Sequence, residues 1–584
     1  MVEEDPSTIA PQEVEAAVRR YLGRVAARYV PLVIVLVVLA LVVALVPRAD
    51  QSSHGTRAAA GGSQSLQTAD GATGGPSGTA AGAAGPGGGT GAAAVAGRST
   101  SRPAAVPAGV TPPAAAGSAG VTRSGVACGP NVRQVPWTKY APVCVPAYSG
   151  NNGGATSHGV TGDTVKISFR LGNSTEDSAV YAAAGAAAPA PDPDIVADMQ
   201  VYVDYFNKQY ELYGRKVVLE SYQGQGDYIQ EDQGQGQAAA AADAVTAHDK
   251  GAFGDATFNL KGSNPYWTNL AQQKVVAFGP LGFPQSYYER YAPYWYTVPP
   301  TGSRQAQFIT NLVCRRMKDL PAIDAGDPTY KNKTRVFGLV TPENPEYMQL
   351  GNELESGLKR CGVTLARRAN YAINVAQFGG QSTNIVAQLK AAGVTTALCY
   401  CDPIIPLFLS QSADQQQYRP EWYEPYYRDP QGRLESQQQW AHALSYGGTS
   451  YDRPTSEAYR VFKLAQPNGE PKSNDQYFDI NYTTVLYIFN ALQAAGPNLN
   501  PQTLQRGIFS LPTSTPGDYG TWGYGPGAFS PGIDAQIGYW NPNATSPWDN
   551  KKGAWQSCEG GAWVQFTKPE TFGPDHTQTR CFGR

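Results

Sequence analysis

The chain has 584 residues, of which 41% are hydrophobic and 16% charged, and its formal net charge is -2 with a sequence pI of about 6.3. This near-neutral balance, with no run of Lys and Arg in the globular part, provides no electrostatic field that would attract nucleic acid. Much of the glycine lies between Pro47 and Gly125, and the remaining chain suits two medium-sized lobes. Nucleic acid is therefore not an expected partner.

Residues 29–46 form an apolar stretch with no polar residue after Tyr29, and about 18 residues are just enough to span a bilayer. A core helix of this length would carry a polar stripe, which is missing here. Only Arg48 follows the stretch closely, whereas four arginines precede it: Arg19, Arg20, Arg24 and Arg28. The positive-inside rule then predicts a single-pass protein of the cell membrane, with residues 1–28 in the cytoplasm, a transmembrane helix at 29–46 and an extracytoplasmic globular region.

A cleaved signal peptide is the alternative, because it shares the basic and apolar regions of an anchor. The segment Val46-Pro47-Arg48-Ala49 lacks a small residue three positions before a possible cut, and no Leu-x-x-Cys lipid-attachment sequence follows. We therefore favour a retained anchor.

Residues 47–126 are rich in Gly, Ala, Pro and Ser and contain no large apolar side chain at a regular spacing. Such a segment cannot bury enough apolar surface to fold, so we expect a disordered linker. A flexible coil of about 75 residues has a root-mean-square reach on the order of 50 Å. The linker would keep the globular region attached to the membrane while allowing it to move over this distance.

All eight cysteines follow the linker on the predicted outer side of the membrane: Cys128, Cys144, Cys314, Cys361, Cys399, Cys401, Cys558 and Cys581. An even number of cysteines outside the cell indicates disulfides, although about 105 connectivities are possible. Pairing of neighbours gives Cys128 with Cys144, Cys314 with Cys361 and Cys558 with Cys581. Residues 127–160 would then form a disulfide-tied extension.

Cys399 and Cys401 stand two apart in an apparent strand, where their side chains share a face. As a disulfide this pair would be strained. A Cys-x-Cys metal site is the alternative, but the sequence offers no two further ligands at an ordered spacing. We expect no metal.

The globular region begins with a strand at 165–171, in which apolar and polar residues alternate. A helix at 194–210 follows, with apolar residues at every third or fourth position. The pattern then repeats through a strand at 217–221, a helix at 237–248, a strand at 252–253, a helix at 265–272 and a strand at 275–278. This alternation predicts a parallel sheet with helices on both faces.

A second round of the same pattern starts after residues 295–299. It comprises a helix at 304–317, a strand at 334–340, a helix at 347–361, a strand at 363–369, a helix at 383–392 and a strand at 396–401. Two α/β lobes in series leave a cleft between them. Ligands bind outside the carboxyl ends of such strands, so the loops that open at Leu171, Gly254, Gly279, Thr341 and Cys401 should line this cleft.

Three groups of residues carry a resemblance to a known family. They are Tyr205-Phe206-Asn207 before Tyr213-Gly214-Arg215-Lys216-Val217, Phe337-Gly338-Leu339-Val340 before Tyr347, and Ile385-Val386-Ala387-Gln388-Leu389-Lys390-Ala391-Ala392-Gly393. In order and spacing, the run from about 163 to 566 resembles the type I periplasmic solute-binding proteins of the branched-chain amino acid (leucine/isoleucine/valine-binding) ABC transporter family.

The resemblance implies an α/β fold of two Rossmann-like lobes with parallel sheets, joined by three crossovers, of the periplasmic binding protein-like I type. Residues 161–299 and 446–550 would form the first lobe, and residues 300–445 and 551–584 the second. The lobes would close on a ligand by hinge bending.

The resemblance also places candidate ligand-binding residues at the cleft. In the first lobe, Thr257, Phe258 and Asn259 stand where the family has small hydroxyl residues, and Leu281, Gly282 and Phe283 replace a Ser/Ala/Thr run. In the second lobe, the candidates are Tyr347 at the family's cleft tyrosine, Tyr400 and Asp402 near another binding aromatic, and Glu424 near the ammonium-binding acid. Because the chain holds 34 tyrosines, each aromatic has packing as its alternative role.

The candidate aromatics would make the cleft apolar and flat-walled, which suits an aromatic, carbohydrate or lipophilic solute as well as an amino acid. Nucleophile elbows, paired metal histidines, phosphate loops and dinucleotide fingerprints are missing from the sequence, and Gly224-Gln225-Gly226 is interpreted as a turn. We therefore expect neither an enzyme nor a cofactor.

The expected function is capture of a small solute (an amino acid, an amide or an aromatic or apolar compound) for delivery to an ABC importer. The expected partners are the permease and ATPase subunits, and the protein would be a monomer. A sensory or cell-wall-reaching ectodomain without a transport role is the alternative. A hydrolase would need a nucleophile and a base in the cleft, which the candidates do not supply.

Overall fold

The computed structural model describes the chain from Val110 onward in these ranges: 110–172, 192–258, 262–424, 429–447, 455–473, 478–579 and residue 581. The predicted transmembrane helix at 29–46, the cytoplasmic segment and most of the linker lie outside the described residues. Within the described ranges, no helix combines the length and the apolar character that crossing a membrane requires. Membrane anchoring stays a prediction from the sequence.

The described strands are β1 Gly120–Val121, β2 Ala127–Cys128, β3 Thr164–Leu171, β4 Lys216–Gln223, β5 Gly254–Asp255, β6 Val276–Ala277, β7 Phe337–Pro342, β8 Arg367–Tyr371, β9 Thr396–Cys399, β10 Glu421–Tyr423, β11 Ala443–Gly447, β12 Asp534–Thr545, β13 Lys552–Ser557 and β14 Trp563–Gln565. The described α-helices are α1 Asp192–Gln209, α2 Tyr228–Asp232, α3 Gln237–Asp249, α4 Asn264–Gln272, α5 Gln285–Arg290, α6 Gly302–Leu312, α7 Pro345–Arg360, α8 Phe378–Ala391, α9 Ile405–Gln415, α10 Asp429–Gly432, α11 Gln437–Trp440, α12 Glu457–Ala465, α13 Phe478–Ala495 and α14 Pro501–Ser510. A π-helical turn, Val313–Met317, continues α6.

The described region begins at Val110, before the predicted end of the linker at 126. β1 pairs with β2 in an antiparallel ladder. The backbone N–H of Thr111 donates to Asn151 O at 2.8 Å, and that of Gly117 donates to Cys144 O at 2.7 Å. The predicted boundary was wrong because backbone hydrogen bonds, rather than burial of large side chains, order residues 110–126.

The extension that follows the linker is built into the core of the first lobe. Val135, Tyr140 and Ala141 are at most 2% exposed. Trp137 stacks on Phe206 of α1 with ring centroids 5.1 Å apart. The extension is therefore held by packing as well as by its disulfide.

The first-lobe sheet has the strand order β4-β3-β5-β6, and all its neighbouring strands are parallel. Ile167 of β3 lies in register with Leu219 of β4 and with Gly254 of β5. The predicted parallel α/β arrangement of this lobe is confirmed.

Helices α1 and α13 pack side by side on this sheet. In α1 the buried residues Ile195, Met199, Tyr202, Val203 and Phe206 recur at three- and four-residue spacing, as the sequence pattern predicted. α13 is buried on nearly its whole circumference.

The second-lobe sheet has the order β13-β12-β11-β10-β9-β7-β8, and β14 pairs with β12. The strands β7 to β11 are parallel. β12 runs antiparallel to β11, β13 and β14. This sheet is mixed, so the prediction of a purely parallel sheet was wrong for its C-terminal strands.

The same strands shift a predicted lobe boundary. Residues 446–550 were assigned to the first lobe, but β12 at Asp534–Thr545 hydrogen-bonds to β11 of the second lobe. The chain folds back through the β12–β13 hairpin, which extends the second sheet instead of adding to the first. The return to the second lobe therefore occurs before Asp534.

Three segments join the lobes at a hinge. The first lies at residues 298–302 and the third at residues 530–533. The second lies between β11 and α12, where residues 448–454 are outside the described part of the chain. The Arg304 guanidinium donates from Nη1 to Ser530 O and Gly532 O, both at 2.7 Å. Arg304 thereby ties the first segment to the third.

The three predicted cysteine pairs, Cys128–Cys144, Cys314–Cys361 and Cys558–Cys581, are disulfides in the structure, and Cys399–Cys401, which the sequence left open, is a fourth. Their Cα atoms lie 5.4, 6.0, 4.7 and 5.1 Å apart, respectively. Of the two alternatives for Cys399 and Cys401, the structure has the disulfide.

Candidate functional site

The carboxyl ends of the two sheets face each other across the space between the lobes. Asp232 ends α2, which follows β4, and its carbonyl accepts a hydrogen bond from Asn344 Nδ2 of the second lobe at 3.0 Å. Gln349 of α7 donates from Nε2 to Ser286 Oγ of α5 at 2.9 Å. These contacts form the interlobe cleft that the strand pattern predicted.

A buried ion network shapes the first-lobe wall. Arg170 of β3 bonds Glu231 at 3.0 Å and Asp243 at 3.2 Å, and its guanidinium lies 4.1 Å from the ring centroid of Tyr266. Since these charged groups are fully buried, each depends on its partners to offset desolvation. Arg170 offsets one of the two carboxylate charges, and hydrogen bonds from the backbone N–H groups of Gln225 and Gly226 to Asp243 and from the Ser263 hydroxyl to Glu231 stabilise the network further.

The same network fixes the loop after β4. Asp243 accepts hydrogen bonds from the backbone N–H groups of Gln225 at 2.8 Å and Gly226 at 3.0 Å. The interpretation of Gly224-Gln225-Gly226 as a turn is confirmed. The turn carries α2, and with it Asp232, to the cleft.

Thr257 and Phe258 follow β5 and are 0% and 7% exposed. Thr257 Oγ1 accepts a hydrogen bond from Arg170 N at 2.7 Å, and the Phe258 ring meets Phe169 edge to face at 6.2 Å. The threonine hydroxyl thus stabilises the sheet end. Asn259 lies outside the described residues.

Leu281, Gly282 and Phe283 form the loop after β6. Gly282 has a φ of +77°, a conformation that favours glycine. Phe283 is 7% exposed and meets Trp267 edge to face at 5.8 Å. Phe283 is therefore largely committed to packing within the first lobe.

Phe283 and Tyr400 come together at the first hinge segment. Gly302 N donates to Phe283 O at 2.8 Å, and the Tyr400 hydroxyl donates to Gly302 O at 3.0 Å. Tyr400 is 3% exposed. Its hydroxyl thus secures the start of α6 beside the cleft.

Asp402 is fixed in the loop after β9. The Tyr371 hydroxyl donates to Asp402 Oδ2 at 2.5 Å, and the backbone N–H of Ile404 donates to Oδ1 at 2.8 Å. Burial raises the pKa of Asp402, although the Tyr371 hydrogen bond opposes the shift. Tyr347 is partly buried against the second-lobe core and lies near Tyr371.

Glu424 follows β10 and is 2% exposed. Its backbone N–H donates to Leu444 O at 3.0 Å, which continues the parallel ladder to β11. Glu424 therefore lies at the carboxyl end of this sheet, and its role in ligand binding stays a prediction.

Asp232 of the first lobe interacts electrostatically with two carboxylates of the second lobe, those of Glu346 and Asp402. Burial raises the pKa of Asp232 well above its ordinary value, and the charges of Glu346 and Asp402 raise it further. Burial also raises the pKa of Glu346. An ionised Asp232 is repelled by these second-lobe carboxylates, which opposes the approach of the cleft walls, whereas a protonated Asp232 is not.

Sequence reasoning missed Asp232, Asn344 and Glu346. Asn344-Pro345-Glu346 directly precedes Tyr347, so the family resemblance that selected Tyr347 also pointed to this turn. Asp232 gave no signal of its own, because its neighbours come from the other lobe. Among the described residues, no group of three or more His, Cys, Asp or Glu could hold a metal ion.

No family model matches the chain. No curated protein matches it either. Among solved structures, the chain is similar to a periplasmic binding protein from Burkholderia mallei, with 14% identity, a TM-score of 0.48, and coverage of 72% of this chain and 99% of that one. The likeness concerns the fold alone.

Two further solved structures show the same degree of likeness. One is a leucine-, isoleucine-, valine-, threonine- and alanine-binding protein from Brucella ovis in its closed conformation, with 12% identity, a TM-score of 0.48, and coverage of 71% and 98% of the two chains. The other is a solute-binding protein of an ABC transporter from Rhodopseudomonas palustris in complex with 3,4-dihydroxybenzoic acid, with 11% identity, a TM-score of 0.48, and coverage of 70% and 99%.

Proposed function

We propose that the protein is a membrane-tethered, extracytoplasmic solute-binding protein that captures a small molecule between its lobes and delivers it to an ABC importer. The observation that carries the proposal is the meeting of the two sheets' carboxyl ends at a cleft, beside three hinge segments. The Asn344–Asp232 and Gln349–Ser286 hydrogen bonds cross this cleft and break when it opens. Such a cleft can bind, enclose and release a solute.

The ligand is a small amino acid, amide, or aromatic or apolar solute that lies between the Tyr347 ring and the first-lobe loops. Tyr347 lies in the first turn of α7 and is only partly buried, and an aromatic ring at this position suits contact with an apolar or aromatic solute. The carboxylates Asp232 and Glu346 add a preference for solutes with a cationic or hydrogen-donating group.

The cleft is tested by thermal unfolding of the full chain in detergent with amino acids, amides, sugars and aromatic acids. A ligand at a hundredfold its dissociation constant adds about 2.7 kcal/mol to the free energy of unfolding. We expect at least one compound to raise the midpoint, and Tyr347→Ala to abolish that rise.

Tyr330→Ala is the matched control, because Tyr330 is also a partly buried second-lobe tyrosine but packs against Tyr418, with ring centroids 6.4 Å apart. This variant should keep the ligand-induced rise. A rise that survives Tyr347→Ala unchanged would remove Tyr347 from the site.

The tether is tested by labelling single cysteines in intact cells with an impermeant maleimide, in a variant whose native cysteines form their disulfides. Ser7→Cys precedes the apolar stretch and should react only after lysis, whereas Ser52→Cys follows it and should react in intact cells. Recovery of the protein from the medium without residues 1–46 would contradict a permanent anchor.

A further inference from the structure

Asn481 is a buried side chain without hydrogen-bond partners. It lies in the first turn of α13 and is 0% exposed. Among the described residues, neither its Nδ2 nor its Oδ1 has a hydrogen-bond partner. A carboxamide offers two donor hydrogens and a carbonyl acceptor, and most buried polar atoms in folded proteins are bonded to protein or water. The protein groups of the described residues therefore leave the hydrogen-bonding capacity of this carboxamide unused.

The direction of α13 places this residue at the cleft. Tyr202 of α1 lies 5.1 Å from Tyr482 of α13 between ring centroids, and Phe206 lies 5.4 Å from Phe489, so the two helices run in the same direction. The start of α1 therefore marks the end of the lobe at which α13 also starts.

The start of α1 is tied to the carboxyl end of the sheet. Gly172, directly after β3, donates its backbone N–H to Asp192 Oδ2 at 2.6 Å. Since Asp192 is the first residue of α1, the first turn of α13 also lies at the carboxyl end of the first-lobe sheet. This is the edge at which α/β lobes bind ligands.

The face of the helix sets the direction of the side chain. Val485, Ile488 and Leu492 follow Asn481 at helical spacing, and each is at most 3% exposed in the first-lobe core. Asn481 thus continues a core-facing stripe to its cleft end, where a hydrophobic residue would be expected.

We propose that Asn481 is a ligand-binding residue of the cleft and that the solute carries a neutral group that both donates and accepts a hydrogen bond, a carboxamide or a hydroxyl. The inference rests on the proposed solute-binding function. A carboxylate would satisfy only Nδ2, and an ammonium group only Oδ1, whereas a carboxamide or hydroxyl satisfies both atoms together. The proposal selects amides and hydroxyl compounds from the solutes that the cleft could accept.

The first test compares two asparagines of the same helix without any ligand. Asn490 is also 0% exposed, but it donates to Tyr140 O at 3.0 Å and accepts from Tyr210 Oη at 2.9 Å. We expect Asn481→Leu to raise the unfolding midpoint of the unliganded full chain, and Asn490→Leu to lower it by leaving two buried groups unsatisfied. A fall with Asn481→Leu as large as with Asn490→Leu would overturn the proposal, because Asn481 would then be bonded within the unliganded protein.

The second test measures the binding of nicotinamide, glutamine, glucose, leucine and benzoate by the full chain in detergent. We expect nicotinamide, glutamine or glucose to bind the wild type and to lose at least tenfold in affinity in Asn481→Leu. Equal affinity in both proteins overturns the role of Asn481, while the proposed function stands.

The panel also separates the two proposals. If only leucine or benzoate binds the wild type, the cleft binds solutes but the chemistry inferred from Asn481 is wrong. If none of the five compounds binds, the solute-binding function and the role of Asn481 both fail. The comparison of the unfolding midpoints of Asn481→Leu and Asn490→Leu without ligand does not depend on these binding results.

Discussion

Glu457 shows how one buried carboxyl group can couple stability to pH. It begins α12, is 4% exposed, and accepts a hydrogen bond from the Tyr482 hydroxyl at 2.8 Å. Burial raises its pKa from 4.5 to about 7, and the nearby Asp518 adds to the shift while Arg460 opposes it. The folded protein therefore keeps this proton at a pH at which the unfolded chain has lost it.

We expect the free energy of unfolding to fall as the pH rises from about 4.5 to about 7, and then to level off. A rise in the pKa of Glu457 over this interval corresponds to a loss of ~3 kcal/mol in the free energy of unfolding. Glu457→Gln should remove this part of the pH dependence and should stabilise the protein at pH 8. Denaturant unfolding from pH 4.5 to pH 8 measures the effect.

Glu570→Gln is the control for this measurement, because Glu570 is an exposed glutamate in a short turn near the C-terminus. It should leave the pH profile of the wild type unchanged. A Glu457→Gln profile that is parallel to the wild-type profile would show that Glu457 keeps an ordinary pKa in the folded state.

At the scale of elements, the four disulfides close loops of different lengths. Cys314–Cys361 joins the end of the α6 segment to the end of α7 across 47 residues, whereas Cys399–Cys401 spans only 2. A cross-link restricts the unfolded chain more when it closes a longer loop, although native-state effects modify this rule.

We expect the Cys314→Ser/Cys361→Ser variant to lose about 4 kcal/mol of unfolding free energy, and the Cys128→Ser/Cys144→Ser variant about 3 kcal/mol. The Cys399→Ser/Cys401→Ser variant should lose the least. Urea unfolding of the three double variants gives the order. The reverse order, with the largest loss for Cys399 and Cys401, would mean that native contacts of that pair outweigh loop closure.

The sequence predicted those elements whose pattern is local. The spacing of Ile195, Met199 and Phe206 identified α1, and the alternation in β3 identified the first strand. The antiparallel strands β12 and β13 were missed because they pair as a hairpin, in which Trp540 lies opposite Trp555 and Tyr539 opposite Gln556. The alternation of strands and helices in the sequence does not predict such a hairpin.

The candidate site was predictable in part for the same reason. Tyr347 and Glu424 could be placed by their order along strands of one lobe. Asp232 could not, because its significance arises from Glu346 and Asp402 of the other lobe. Asn481 could not be predicted either, because an asparagine in a helical pattern is taken for an exposed polar residue until its burial is known.

At the scale of the whole molecule, the charge of the interlobe carboxylates should affect how far the two lobes close. Asp232→Asn removes one of three acidic groups at the cleft, so we expect the unliganded variant to be more compact than the wild type at pH 7.5. Small-angle X-ray scattering of residues 110–584 measures the radius of gyration. The difference should shrink at pH 5, where a pKa raised by burial leaves more Asp232 protonated in the wild type.

Asp204→Asn is the control, because Asp204 is an exposed residue of α1 whose carboxylate accepts from Gln200 at 2.7 Å. It should leave the radius of gyration unchanged at both pH values. Identical radii for the wild type and Asp232→Asn at pH 7.5 would mean that repulsion at the cleft does not set the opening of the lobes.

The position of the N-terminal extension has a mechanical consequence. Its contacts run to the first lobe: Asn490 Nδ2 bonds Tyr140 O at 3.0 Å, and Tyr148 N bonds Glu211 Oε2 at 3.1 Å. Tension on the chain upstream of Val110 is therefore borne by the first lobe and bypasses the hinge. If the protein is tethered as proposed, the linker would hold the first lobe, and the second lobe would remain free to move during opening and closure.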